Sequence, residues 1–230
     1  MKKGFTLAEV LIALGVVGVV SAMTLPSVIN KFRAKTLETA FKKSYSNVSK
    51  AILNTKIELN SDNLLKDYGS YSHGYYLFPE VRNTFLKILG QTGIYKGDEY
   101  KNLKNYNNSA VCVDSYVGWC PNPIYILKDG SSVDIQINSG WIHIGVDING
   151  PYKKPNRYGH DVFSFVINST VNDKVVLTKQ SKLYTDPFIK GIPCSIKSNQ
   201  GANGVGCAWY AFNNVNPDDS TKTYWDNLPK

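Results

Sequence analysis

Histidine is scarce in this chain, with His73, His143 and His160 the three among 230 residues, and cysteine is limited to four. No CxxC occurs, so a zinc site built from paired thiolates has no starting point. No G-x-S-x-G is present, which removes the usual frame for a serine nucleophile. The glycines at Gly201, Gly204 and Gly206 follow no strand–helix context and do not form a phosphate loop. Charge of one sign is never concentrated: the formal net charge is +8, yet the basic residues are scattered among Asn, Tyr and Gly. No recognisable RNA- or DNA-binding motif accompanies them, so nucleic acid is not an expected partner. His143 falls among isoleucines and reads as an outward-facing or hydrogen-bonded strand histidine. His160 adjoins Asp161 and hints at a site without a reaction. An enzyme is not expected.

One long hydrophobic run is present. Met1-Lys2-Lys3 is a short basic leader, and Phe5 to Leu25 follows with Glu9 as its one ionisable side chain. As a helix the run spans about 31 Å, enough for the hydrocarbon core of a bilayer. Three readings compete. Val20-Ser21-Ala22 offers small residues for an ordinary secretory cut, giving a chain that starts at Met23. A plain anchor is the second reading, but Lys31, Arg33 and Lys35 oppose Lys2 and Lys3, so flanking charge does not settle orientation. Both leave Glu9 unexplained, since a carboxylate within an apolar span is costly unless it finds a partner.

The third reading uses it. Lys2-Lys3-Gly4-Phe5-Thr6-Leu7-Ala8-Glu9 resembles the prepilin signal of type IV pilins and type II secretion pseudopilins. The resemblance implies cleavage after Gly4 by a membrane prepilin peptidase, methylation of the new N-terminus at Phe5, and Glu9 as the assembly glutamate. Pro26 matches the helix-kinking proline of that family, and Gly15 and Gly18 resemble its helix-weakening residues. Glu9 would then meet the Phe5 amine of a neighbouring copy. The implied partners are identical or related pilin subunits, prepilin peptidase, an inner-membrane assembly platform and membrane lipid. The implied location is the cytoplasmic (inner) membrane, single-pass with an extracytoplasmic C-terminal domain, and after assembly a periplasmic or cell-surface filament.

Beyond Pro26 the pattern becomes amphipathic. Phe32, Leu37, Phe41, Tyr45, Val48, Ile52 and Leu59 recur at helical spacing, while Lys31, Lys35, Lys42, Lys43, Lys50 and Lys56 largely occupy other faces. One helix over residues 5–60 is expected, with 5–25 as transmembrane and assembly segment, 1–4 as leader and 61–230 as a globular domain. Pro79 to Leu89 reads as a second helix, with Pro79 in its first turn and Gly90 as its stop. Lys96 to Ser109 is polar, without apolar period, and reads as an exposed loop. From Pro123 the period becomes two: strands are expected at 124–128, 133–137, 141–146 and 162–167, with DG and NSG turns between the first three. The fold class is α+β, a long N-terminal helix, transmembrane in its first half, packed on an antiparallel sheet in a pilin-like arrangement.

The loop Asp147-Ile148-Asn149-Gly150 through Asp161 resembles a DxNG…PNxxGxDxF segment of pseudopilin-like proteins. Asp147, Asn149 and Asp161 are candidate oxygen ligands for calcium, although Lys153, Lys154 and Arg157 load the same loop with positive charge, and turn-capping by the Asx side chains accounts for the same residues. No other cofactor is expected. Cys112, Cys120, Cys194 and Cys207 form two sequence-local pairs; four cysteines allow three connectivities, and local disulfides in an oxidising compartment are the expectation. Trp209, Tyr210 and Phe212 read as a last strand on the core. Tyr68 to Tyr76 reads as a structured loop with half-buried tyrosines. The functional expectation is a filament subunit, pilin or pseudopilin. The alternative is a membrane-tethered, disulfide-stabilised extracytoplasmic binding or enzymatic domain that does not polymerise.

Overall fold

The computed structural model describes residues 4, 6–68, 79–110, 123–138, 141–168, 175–176, 193–201 and 203–229. Helix α1 runs unbroken over Leu7–Glu58, 52 residues with Pro26 inside it, or about 78 Å at the α-helical rise. Its end is set locally. Asn60 takes a left-handed φ of 48°, and the Ser61 N–H returns to the Lys56 carbonyl at 2.9 Å. Asn tolerates that conformation better than most residues, so the helix stops there.

The short helix α2 (Leu64–Asp67) and α3 (Pro79–Leu89) follow. Strand β1 (Gln91–Ile94) leads into a 3-10 turn at Glu99–Asn102. Strands β2 (Ile124–Leu127), β3 (Ser132–Asn138), β4 (Trp141–Asp147), β5 (Val162–Asn168) and β6 (Val175–Val176) complete an antiparallel sheet of order β1-β2-β3-β4-β5-β6. The expected four strands are therefore its centre. Gln91-Thr92-Gly93-Ile94 carries no apolar alternation; it is a strand because β2 pairs with it, across an irregular step between Gln91 and Gly93.

Register places Val133, Ile135 and Ile137 beside Val146, Ile144 and Ile142, which in turn face Phe163, Phe165 and Ile167. This apolar face is covered by the second half of α1. Phe41, fully buried, lies with its ring 4.6 Å from Phe163 and 5.7 Å from Trp225, and Tyr45 packs on Phe165 at 5.8 Å. Phe32 shares the helical period but is exposed, because burial on α1 begins at Ala34.

Two expectations about the loops are corrected. The 96–109 segment is not simply an exposed loop: Tyr100, Leu103, Asn105 and Tyr106 are buried. Its apolar residues are too irregularly spaced to show a period, yet Tyr100 and Leu103 cover the second face of the sheet beside Ile124, Trp141, Val162 and Val166, while Tyr106 joins the core that α1 covers. Trp209, Tyr210 and Phe212 lie on helix α4 (Ala208–Asn213), not on a strand. Tyr210 is buried there and Phe212 packs edge-on against Tyr45 at 5.2 Å.

Cys194 and Cys207 form a disulfide with Cα atoms 5.0 Å apart. Beside it, Gly159 (φ +76°) has no room for a side chain: an added Cβ would fall 2.5 Å from the Tyr106 ring and 2.8 Å from the Cys207 sulfur. Cys112 and Cys120 lie outside the described residues, as do Phe5 and most of the tyrosine-rich stretch at 68–76. Tyr68 itself is half-buried and donates its hydroxyl to the Leu59 carbonyl.

Candidate functional site

The first half of α1 stands clear of the domain. Every residue from Thr6 to Arg33 is exposed, including Leu7, Leu11, Ile12, Leu14, Val16, Val17 and Met23. By length and composition this helix is apolar enough to cross a membrane. A continuous apolar surface of this extent is not stable in water and requires lipid or protein around it. Gly15 and Gly18 lie within it with nothing close to their α-carbons, so the backbone there is open to close approach by another helix. Thr24, two residues ahead of Pro26, folds its hydroxyl back to the Val20 carbonyl at 2.9 Å.

Glu9 has a partner within its own chain. Thr6 is the N-cap of α1, and its Oγ accepts the Glu9 N–H at 3.3 Å. The Glu9 carboxylate accepts both the Thr6 N–H and the Thr6 hydroxyl at 2.8 Å. This reciprocal capping box satisfies donors that a helix start leaves unpaired. Its sequence signal is Thr6-x-x-Glu9, a second role for the glutamate beside the intermolecular one expected of it. Thr6 follows the Gly4–Phe5 junction, so both members of the box would stay on the chain after a cut there.

The second constellation is the loop from Asp147 to Asp161, and the structure does bring its acidic residues together. Asp147 Oδ1 accepts the N–H groups of Asn149 and Gly150, and Oδ2 accepts the Tyr100 hydroxyl at 2.7 Å. Asp161 accepts the N–H groups of Arg157 at 2.7 Å and Asn156 at 3.0 Å, and the Asn149 side-chain amide at 3.3 Å. Both carboxylates are buried, which pushes the proton affinity of each up, and the Asp161 charge adds to the effect at Asp147. Tyr100, buried against Asp147, has its phenol pushed up as well. Gly150 (φ +85°) closes the loop onto the β2–β3 turn, where a Cβ would meet the Gly130 carbonyl at 2.0 Å.

Every oxygen of the two carboxylates thus already accepts from an N–H or O–H of the chain. Asn149 turns its NH2 group, not its oxygen, toward Asp161. The Asn149 oxygen itself has no partner among the described residues, and the donors on the two carboxylates account for how the loop closes. Among the described residues no three His, Cys, Asp or Glu side chains gather as a metal set.

A second buried polar group lies on the other face of the sheet: Asp134, Gln136, His143 and Ser164. His143 is neither outward-facing nor hydrogen-bonded: among the described residues both ring nitrogens lack a partner, and burial pushes its proton affinity down to about 4. Asp134 accepts from the Gln136 amide at 3.1 Å, while its other oxygen has no donor among the described residues. Burial lifts it to about 7. His160 is pushed down to about 3 by burial and by the Arg157 charge. A groove of about 390 Å³ between α1, α3 and the β2–β3 turn is edged by Lys43, Lys50 and Lys128. The carboxylate in its lining, Asp129, is ion-paired with Lys43 at 2.8 Å, so the groove presents no free acid–base pair.

Comparison with known families bears on the N-terminus. Residues 1–25 match the family model described as the prokaryotic N-terminal methylation motif, the prepilin-type signal of type IV pilins and pseudopilins. No curated protein and no solved structure matches the chain.

Proposed function

We propose that this chain is a filament subunit of the pilin or pseudopilin kind, and its prepilin-type signal is the premise. Prepilin peptidase cuts between Gly4 and Phe5 and methylates the Phe5 amine. The exposed apolar half of α1 holds the subunit in the cytoplasmic membrane, with the sheet domain on the extracytoplasmic side. The same surface becomes the packing face of the polymer. The observation that carries this reading is the continuity of α1. One helix is fully exposed and apolar over its first half and packed into the domain over its second. A domain merely tethered to a membrane has no need for that rigid junction.

Glu9 takes a definite role. Alone, the subunit satisfies the carboxylate through Thr6. In the polymer the methylated Phe5 amine of a neighbour supplies a full positive charge. That amine adds an ion pair to the hydrogen bonds the carboxylate already accepts from Thr6, so docking strengthens a contact that the capping box only holds in place. Glu9 would act as a registration point along an otherwise featureless apolar surface.

Intact-mass analysis of protein from its native membrane tests the processing step. The expected chain starts at Phe5 and carries one methyl group; a start at Met23, or an uncut chain, would refute it. Glu9→Gln tests assembly more sharply than Glu9→Ala, because glutamine keeps the capping box but loses the charge. Filaments should be absent from Glu9→Gln cells while cleavage and membrane insertion persist. Normal filaments from that variant would overturn the pairing.

A further inference from the structure

Three Tyr–Lys pairs occur in separate places in the sequence: Tyr95-Lys96, Tyr100-Lys101 and Tyr152-Lys153, the last followed by Lys154. The fold brings their rings together. Tyr152 meets Tyr95 edge-on with centroids 5.8 Å apart, and Tyr95 meets Tyr100 in the same way at 5.3 Å. The series runs from surface to interior: Tyr152 is 73% exposed, Tyr95 is half-buried, and Tyr100 is buried with its hydroxyl on Asp147. The outermost ring therefore rests on a stack tied to the sheet, with most of its surface open.

The loop that carries Tyr152 is also fixed. Pro151 and Pro155 bracket Tyr152-Lys153-Lys154, the Lys153 N–H bonds the Gly150 carbonyl at 3.1 Å, and the Asn156 side chain holds the Pro151 carbonyl at 2.9 Å. Lys96, Lys153 and Lys154 are exposed, and none has an ion pair among the described residues. Asp98, two residues from Lys96, offsets part of that charge. An exposed tyrosine on an ordered loop, with Lys153 and Lys154 next to it in the chain and Lys96 next to the tyrosine it touches, is a recognition surface whose ordering cost has already been met in the free protein.

We propose that this surface binds an acidic polysaccharide, with Tyr152 stacking on one sugar ring and Lys96, Lys153 and Lys154 meeting its carboxylate, sulfate or phosphate groups. A single open ring decides between polyanions. Single-stranded nucleic acid binds best where successive bases find successive aromatic platforms along a charged track. Here the second and third rings are edge-on and increasingly buried. A pyranose needs one platform for its C–H face and a few nearby cations for its substituents. The surface lies on the sheet domain, well away from the apolar half of α1, so it does not depend on the chain polymerising.

The test is binding of the full chain in neutral-detergent micelles to immobilised polygalacturonate, with dextran and oligo-dT as comparators. Binding to polygalacturonate and not to dextran is expected, weakening as salt rises through the range where the screening length shortens. Tyr152→Ala should lower affinity roughly tenfold or more, equivalent to about 1.4 kcal/mol, and Tyr152→Phe should retain it. Lys153→Gln with Lys154→Gln should lower affinity at least as far, and Lys222→Gln, at a lysine paired with Asp219, should not. All these side chains are at the surface, so unchanged melting curves are expected alongside. Absence of polygalacturonate binding, Tyr152→Ala binding like the native chain, or tighter binding to oligo-dT would each overturn the proposal.

Discussion

Replacing Asp134 by Asn should reverse its effect on stability as pH rises. Asp134 sits on β3 between Ile124 of β2 and Gly145 of β4, fully buried. One carboxylate oxygen accepts from Gln136; the other has no donor among the described residues. Burial disfavours the ionised form and lifts the group from 3.8 to about 7. Because the folded state binds the proton more tightly than the unfolded state, its contribution is whole below about pH 3.8 and is lost as pH rises to about 7. That gap, at about 1.4 kcal/mol per tenfold change, amounts to about 4 kcal/mol. Asn removes the charge but buries an NH2 group in place of the unpartnered oxygen, at a cost of about 1–3 kcal/mol. The net expectation is a variant more stable than the native chain by about 2 kcal/mol at pH 8, and less stable at pH 4. In melting temperature the gain at pH 8 is about 4–8 °C for a chain of this size. Near-ultraviolet circular dichroism of the full chain in micelles, scanned at intervals from pH 4 to 8, reads this directly. Parallel melting curves for the two proteins across that range would refute the assignment of a buried carboxylate with one oxygen short of a donor.

His143→Leu should stabilise the chain at neutral pH by about 1–3 kcal/mol, since it removes two unpartnered ring nitrogens from the interior. It should also flatten the loss of native stability as pH falls from about 6.5 towards 4, the window in which a histidine with lowered proton affinity becomes charged more readily in the unfolded chain; thermal scans check both. Phe41→Ala should cost about 3–5 kcal/mol, because the ring fills the space between α1, Phe163 and Trp225; a chemical-denaturation midpoint close to the native value would contradict that packing. Replacing Cys194 and Cys207 together by Ser should cost about 2–4 kcal/mol, measured in the same assay, and a reducing agent added to the double variant should have no further effect through this bond. Calcium added after chelation should leave the melting temperature of the native chain unchanged, and a calcium-dependent rise abolished by Asp147→Asn would show that the loop carboxylates bind the ion after all.

The parts legible in sequence share one property: their signals are local. The apolar run with Glu9, the helical period beyond Pro26, Pro79 and Gly90 around α3, and the alternation in β3, β4 and β5 each follow from neighbouring side chains. The prepilin-type signal is the extreme case, since it is complete within residues 1–25. Even the Thr6–Glu9 capping box was there to be read.

Tertiary structure decided what lies on the second face of the sheet. Alternation predicts one buried face and one wet one, so Ser132, Asp134, Gln136 and His143 read as solvent-facing. They are buried, in a layer that includes Tyr100 and Leu103, whose irregular spacing carries no period. Pairing with β2 alone makes Gln91–Ile94 a strand. Tyr95, Tyr100 and Tyr152 likewise meet only because a sheet edge and the 147–161 loop come together. Local periodicity determined which residues could form helix and strand, and packing between segments far apart in the chain determined which polar groups lost their water.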